Sequence, residues 1–355
     1  MPRLLVVKLG AIGDVVMALP AAHAMHAQGY EIHWICGLTA APVLSLYPWI
    51  HVIPVDEKKL LHSGKLSTFR TLLALWKAIP SGTFDVCATL YFDTRYKLLT
   101  WPVRARRRVL LSQASRATSL LPGRHHTDEY FRVLSGRTDN VAPHQLAPVP
   151  PASFPQLPLP RTNKPRIVLV PAGAKNLLRD DALRRWPIEN YVAVAASLLE
   201  LGAEIILAGG PDDQWASPHF AHLPIINVIG KHKLLETLAL LNSAVLTITH
   251  DTGPLHLAGI TRTALIGIFG PTDPRGRLPQ RANSVALWGG EGFACRPCYD
   301  GRDYAPCTNN ACMAQITTAM VLAEVQTLLN AIRSNNPLPP RVRTPRHTPP
   351  LVMPS

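Results

Sequence analysis

No apolar run in this 355-residue chain approaches the roughly 18 residues that a bilayer-spanning helix needs. Nor does the start read as a secretory signal: Met1 to Leu9 is one short apolar run, and Lys8 closes it. Both absences point to the cytoplasm. Acid is scarce, with 23 Asp and Glu against 36 Lys and Arg and a formal charge of +13. That excess favours polyanions: nucleic acid, an anionic membrane face or phosphorylated substrates. Zinc-finger, RRM-like and helix-turn-helix signatures are all missing, so no nucleic acid is expected as partner. A dinucleotide fingerprint is missing too. After the first apolar run the chain reads Gly10-Ala11-Ile12-Gly13-Asp14, without the third glycine, and no clear acid ends the second strand. This disfavours a nicotinamide oxidoreductase.

What is present is a chain long enough for two domains with sizeable cores, 47% hydrophobic and 17% charged. Arg3 to Leu9 is near-continuously apolar, as a strand buried on both faces would be. A glycine turn follows, then helical spacing from Val15 to Gln28 and a second strand, Glu31 to Cys36. This βαβ opening puts Gly13 and Asp14 at the carboxyl edge of a parallel sheet, where Asp14 can cap the helix, face a crevice, or do both. A basic segment with Lys58, Lys59, Lys65 and Arg70 and the run Arg104-Ala105-Arg106-Arg107-Arg108 lie beside the expected crevice. Each reads either as a solvated face or as an anion-facing one.

Eight prolines between 142 and 165 make a semi-rigid joint. The division expected is an N-terminal Rossmann-like domain over 1–150, a linker over 151–165 and a C-terminal one over 166–333. The tail, 334–355, is Pro-rich and basic with no acid, and is expected to be disordered. In the second half, strands end at Pro171-Ala172-Gly173-Ala174, at Gly209-Gly210-Pro211-Asp212-Asp213 and at Gly270-Pro271-Thr272-Asp273-Pro274. A basic loop carries Lys175, Arg179, Arg184 and Arg185. Ala244 to Thr249 reads as a buried strand, and Asp251-Thr252-Gly253-Pro254-Leu255-His256 follows it. Pro254 suits the first helical position, with Thr252 or Gly253 as cap. Such a helix start either cradles a diphosphate or is an ordinary capped turn.

Cys36 and Cys87 lie in apolar surroundings and are expected to be reduced core residues. Cys295, Cys298, Cys307 and Cys312 share one loop with the spacing C-x2-C-x8-C-x4-C. The later gaps are short for a common zinc module, so a structural thiol cluster is expected ahead of a metal site.

Gly13-Asp14, Arg184-Arg185-Trp186-Pro187, Asp251 to His256, Phe269 to Pro274 and Cys295-x-x-Cys298, in this order, resemble glycosyltransferase family 9. These are the ADP-heptose:lipopolysaccharide heptosyltransferases, and the resemblance covers about residues 1 to 330. It implies an α/β GT-B fold, with two Rossmann-like domains and a cleft between them. It also implies inverting sugar transfer without a required metal or cofactor. The family's catalytic acid falls on Asp14. Its phosphate-binding lysine falls on Arg184, a departure, because a planar guanidinium is not an ammonium. Its ribose-binding acid falls near Asp212, with Asp213 as the alternative. Its diphosphate segment falls on Asp251, Thr252 and Gly253, with His256 one turn on as phosphate contact or packing residue. The partners implied are a nucleotide-sugar donor, ADP-heptose in the leading reading, and a lipid-linked phosphorylated glycan acceptor. The anionic inner face of the inner membrane would give the positive charge a use. A relative moving another sugar, or one that binds nucleotide sugars without turnover, is the rival expectation.

Overall fold

The computed structural model describes residues 1–111, 123–137, 146, 148–159, 162–174, 180–299 and 304–345. It divides into two compact units, Met1–Leu146 and Ala147–Ser355, so the division falls inside the proline-rich stretch. Val149 belongs to the second unit, where it is buried and its N–H donates to the Ile260 carbonyl at 2.9 Å.

The first unit runs β1 (Arg3–Val7), α1 (Ile12–Ala27), β2 (Glu31–Gly37), α2 (Ala41–Leu44), β3 (Ile50–Val55), α3 (Glu57–His62), α4 (Lys65–Ala78), β4 (Thr83–Thr89), β5 (Arg104–Leu110) and α5 (His126–Ser135). Its five strands are all parallel, in the order β3-β2-β1-β4-β5. Strand order reverses between β1 and β4, and a crevice opens there at the carboxyl ends of such a sheet. The central strand is apolar because both faces are covered: Leu4 to Val7 are fully buried. Helix α1 begins at Ile12, with Ala11 as N-cap. Gly13 and Asp14 are therefore in the first helical turn, not in the turn before it, and Asp14 is not the capping residue.

The basic run at 104–108 is the edge strand β5 and a largely solvated face, with Arg104, Arg106 and Arg108 exposed, and three of its arginines are used locally. Arg106 pairs with Asp85 at 3.0 Å, Arg107 donates to the Val133 and Leu134 carbonyls at the end of α5, and Arg108 donates to the carbonyls of Thr100 and Val103. Charged side chains also protect an edge against further pairing.

The second unit runs β6 (Arg166–Val170), α6 (Ile188–Glu200), β7 (Glu204–Leu207), β8 (Ile226–Asn227), α7 (Leu234–Ser243), β9 (Leu246–His250), α8 (Gly253–Gly259), β10 (Ala264–Phe269), β11 (Ser284–Trp288), α9 (Ala311–Ala314), α10 (Thr318–Arg333) and β12 (Arg341–Arg343). Its sheet is parallel in the order β12-β11-β10-β9-β6-β7-β8, reversing between β6 and β9. Lys175 and Arg179 lie outside the described residues. Pro254 is the second residue of α8, and Thr252 is its N-cap.

The described part of the tail, residues 334–345, departs from expectation, while 346–355 lie outside the described residues. Arg341–Arg343 adds a strand to β11, and Leu338 and Asn283 exchange hydrogen bonds at 2.8 and 2.9 Å. The reason is a charge on α10. Glu324 is buried, and it meets Arg341 at 2.5 Å and Arg343 at 3.3 Å. A composition-based reading sees a basic segment without partners, whereas the fold supplies the acid from another element. Deleting residues 338–355 should strand the Glu324 carboxylate and expose the edge of β11. We expect a loss of roughly 3 kcal/mol in chemical denaturation, at the low end for breaking a buried pair. Unchanged stability would show that β12 contributes nothing.

Candidate active site

Each unit carries a polar cluster at its own switch point. In the first, Lys8 follows β1, and its N–H bonds the Ile35 carbonyl at 3.1 Å, continuing the ladder to β2. Its side chain is buried, with Nζ 3.0 Å from Asp14 Oδ2 and 5.2 Å from the centre of the Tyr91 ring. A buried ammonium needs such partners, and the pairing fixes the Asp14 carboxylate at the mouth. Glu57 completes the cluster. A Cβ on Gly37 would lie 2.6 Å from Glu57 Cδ, and one on Gly10 3.3 Å from Glu57 Oε1. The two glycines thus make room for a carboxyl group. Burial pushes that carboxyl up from its ordinary range, against the pull of Lys8. Lys8 and Glu57 were not singled out from the sequence. A lysine closing an apolar run was the available signal for the first; nothing in the spacing marks the second.

Beside this cluster, α3 and α4 line a cavity of ≈ 840 Å³ whose walls include Lys59, Lys65 and Arg70. Helix α4 also exposes Leu66, Phe69 and Leu73, which share one face at i, i+3 and i+7. Trp76 continues that face and donates to the Leu98 carbonyl at 3.0 Å; Leu98 and the 73%-exposed Trp101 follow.

In the second unit the centre is Asp251, at the end of β9 and 2% exposed. Its Oδ2 accepts from the Thr272 hydroxyl at 2.7 Å and lies 3.7 Å from Arg184 Nη1 and 3.8 Å from Arg277 Nε. His256 Nε2 is 4.0 Å from Oδ1. Burial alone would raise this carboxyl; the Arg277 and Arg184 guanidiniums outweigh it and hold the group well below the usual carboxylate range. Arg184 is not a bare cation. It also meets Asp181 at 3.3 Å, donates through Nε to the Tyr304 hydroxyl, and lies 5.5 Å from the Tyr299 ring centre, which Arg277 approaches at 5.4 Å. Arg277, Thr272 and the two tyrosines were missed in the sequence; Arg275 and Arg277 directly after the Gly-Pro-Thr-Asp-Pro loop were the signal for the first.

Trp186 anchors the loop that presents Arg184. It is buried, donates to the Ile316 carbonyl at 2.9 Å and meets the Tyr191 ring edge-on at 5.0 Å. Arg185 turns elsewhere, donating to the Gly173 carbonyl at 2.9 Å and to Asp180 at 2.5 Å. Asp213 is taken up by the backbone, accepting from Gly173 N–H at 2.9 Å and Gly210 N–H at 2.7 Å. Gly173 has φ +94, a conformation suited to glycine. Asp212, its neighbour, is exposed at the carboxyl edge. Thr252 donates to the His250 carbonyl at 3.3 Å, so its hydroxyl does not cap α8.

The four loop cysteines come together: Cys298 and Cys312 both feel Cys295 and Cys307, and burial with these neighbours pushes the Cys312 thiol up to about 11. Cys312 packs on the ends of β10 and β11, where a Cβ on Gly270 would lie 2.8 Å from its sulfur. The same loop carries Tyr299 and Tyr304, which pair as an isolated antiparallel bridge. The cluster therefore supports the tyrosines that flank Arg184.

The family model for glycosyltransferase family 9 (heptosyltransferase) matches residues 104–308. The chain is 26% identical over 301 residues to the lipopolysaccharide core heptosyltransferase OpsX of Haemophilus influenzae, covering 78% of this chain and 81% of that one. Its fold matches the glycosyl transferase family 9 structure from Veillonella parvula, with TM-score 0.71, 20% identity and 93% and 97% of the two chains covered. It also matches the E. coli heptosyltransferase WaaC with ADP, with TM-score 0.68, 19% identity and 92% and 99% covered. The family model spans more than half of the chain, and two Rossmann-like units match the folds of its members, so this chain belongs to glycosyltransferase family 9.

Proposed function

We propose that this enzyme transfers a heptose from ADP-heptose to the inner core of lipopolysaccharide, with inversion at the anomeric carbon. The observation that carries the reading is the pair of guanidiniums, Arg184 and Arg277, converging on buried Asp251 at the switch point of the second sheet. Leaving diphosphate gains charge as its bond to the sugar breaks, and preorganised cations stabilise that change. Asp251 and the tyrosines hold the guanidinium planes, while their remaining N–H groups meet phosphate oxygens. Asp212 is the acid assigned to the ribose, since Asp213 is committed to the backbone. Gly253 and Pro254 open α8 beside the diphosphate, and His256 acts on it through Asp251.

In the acceptor half, Asp14 takes the proton from the attacking hydroxyl as the new glycosidic bond forms and ADP departs. Lys8 positions that carboxylate. The acceptor is a phosphorylated glycan on a lipid. Lys59, Lys65 and Arg70 suit its phosphates, and the exposed Leu66, Phe69 and Leu73 beside them suit a cytoplasmic, anionic membrane face.

Three measurements check this reading. Asp14→Asn should lower the thermal midpoint, because it removes a charged partner of buried Lys8, and leave ADP affinity unchanged while transfer by the folded protein falls by about 10²–10⁴; transfer within a few-fold of the parent would remove Asp14 from the mechanism. Arg184→Ala should weaken donor binding and slow turnover, since a charge-assisted bond contributes roughly 1.5–3 kcal/mol; unchanged kinetics would transfer the role to Arg277. Phe69→Ser should reduce co-sedimentation with phosphatidylglycerol vesicles without altering the fold, and equal binding by both proteins would put the membrane contact elsewhere.

A further inference from the structure

At the opposite, amino edge of the first sheet, two histidines and a carboxylate converge. Glu31 and His33 are i and i+2 on β2, so their side chains share a face of the strand. His51, on β3, is the register partner of His33. Sheet geometry alone therefore gathers the three. The imidazoles stack, with ring centres 4.7 Å apart and planes 22° from parallel. Both turn Nε2 toward the same oxygen: His33 Nε2 is 3.0 Å and His51 Nε2 3.4 Å from Glu31 Oε1. The other oxygen, Oε2, lies 3.7 Å from Arg3 Nε.

We propose that Glu31, His33 and His51 form a binding site for a divalent transition-metal ion such as zinc. With metal–ligand distances near 2.1 Å, donor atoms around a tetrahedral zinc lie about 3.4 Å apart; the two imidazole nitrogens stand 3.0 and 3.4 Å from the carboxylate oxygen, and all three donor atoms lie within 4.8 Å of one another. The donor set, two imidazole nitrogens and one carboxylate oxygen, is one that borderline divalent ions take up. His33 is buried, so an ion held there is partly shielded from water. His51 is 60% exposed, which leaves the ion a solvent-facing position. The Arg3 guanidinium opposes a cation, but it stands against Oε2 and leaves Oε1 to the imidazoles. An ion here would clip edge strand β3 to β2, away from the carboxyl-edge chemistry.

The test is titration of the full chain with Co²⁺, read by absorption. The site should bind one ion with ligand-field bands and no sulfur charge transfer, which separates it from any cobalt held by the loop cysteines. His51→Ala, at an exposed position the fold tolerates, should weaken that binding by about 10- to 100-fold or more, since losing a ligand costs at least what losing a ligand's support does. An identical titration in His51→Ala would overturn the proposal. So would a parent protein whose only cobalt signal is thiolate charge transfer, or one that takes up no cobalt.

Discussion

A buried carboxylate is the constraint around which the second unit is arranged. Asp251 is nearly inaccessible, and an isolated charge in such a place is strongly unfavourable. The Thr272 hydroxyl and the Arg184 and Arg277 guanidiniums offset that cost. Asp251 itself follows β9, and these partners come from the loop after β10 and from the turn before α6. The tyrosines of the cysteine loop then close over both guanidiniums. One charge thus gathers four segments at the sheet's carboxyl edge. The first unit repeats the logic with the sign reversed: the buried Lys8 ammonium draws in Asp14 and Glu57.

The net charge of +13 proves to be distributed rather than pooled. Much of it satisfies backbone carbonyls and buried acids. Arg107 and Arg108 serve carbonyls beside the edge strand, Arg281 donates to the carbonyls of Ala258 and Thr263, and Arg341 and Arg343 hold Glu324. Among the described residues, Lys59, Lys65 and Arg70 line the cavity at α3 and α4, beside exposed apolar side chains. Composition reports the total and is blind to this partition.

The fold was largely legible because its signals are local. Continuous apolar runs ending in Gly, Pro and Asp loops mark buried parallel strands and their carboxyl edge, and Asp14, Arg184 and Asp251 all stand at such ends. What escaped depends on long-range partners. Arg277 looks like any loop arginine until Asp251 is placed beside it. Glu57 looks like the start of an amphipathic helix until Gly10 and Gly37 open a space for it. The run at 104–108 reads as a solvated or anion-facing stretch, and its exposure fits the first, but nothing local announces an edge strand; 341–343 reads as tail because Glu324 is on another element. Asp212 and Asp213 are adjacent and chemically alike, and only the fold shows that Asp213 is taken up by two backbone N–H groups.

On the proposed function, the guanidinium-flanked site receives an adenosine diphosphate sugar. The direct measurement is the thermal midpoint of the full chain with ADP, UDP, GDP and their sugars in turn. A ligand at about 100 times its dissociation constant adds roughly 2.7 kcal/mol to the folded state, enough to read as a shift of a few degrees. Stabilisation by ADP and ADP-heptose above the other nucleotides is the result predicted. Selective stabilisation by UDP or GDP would contradict it.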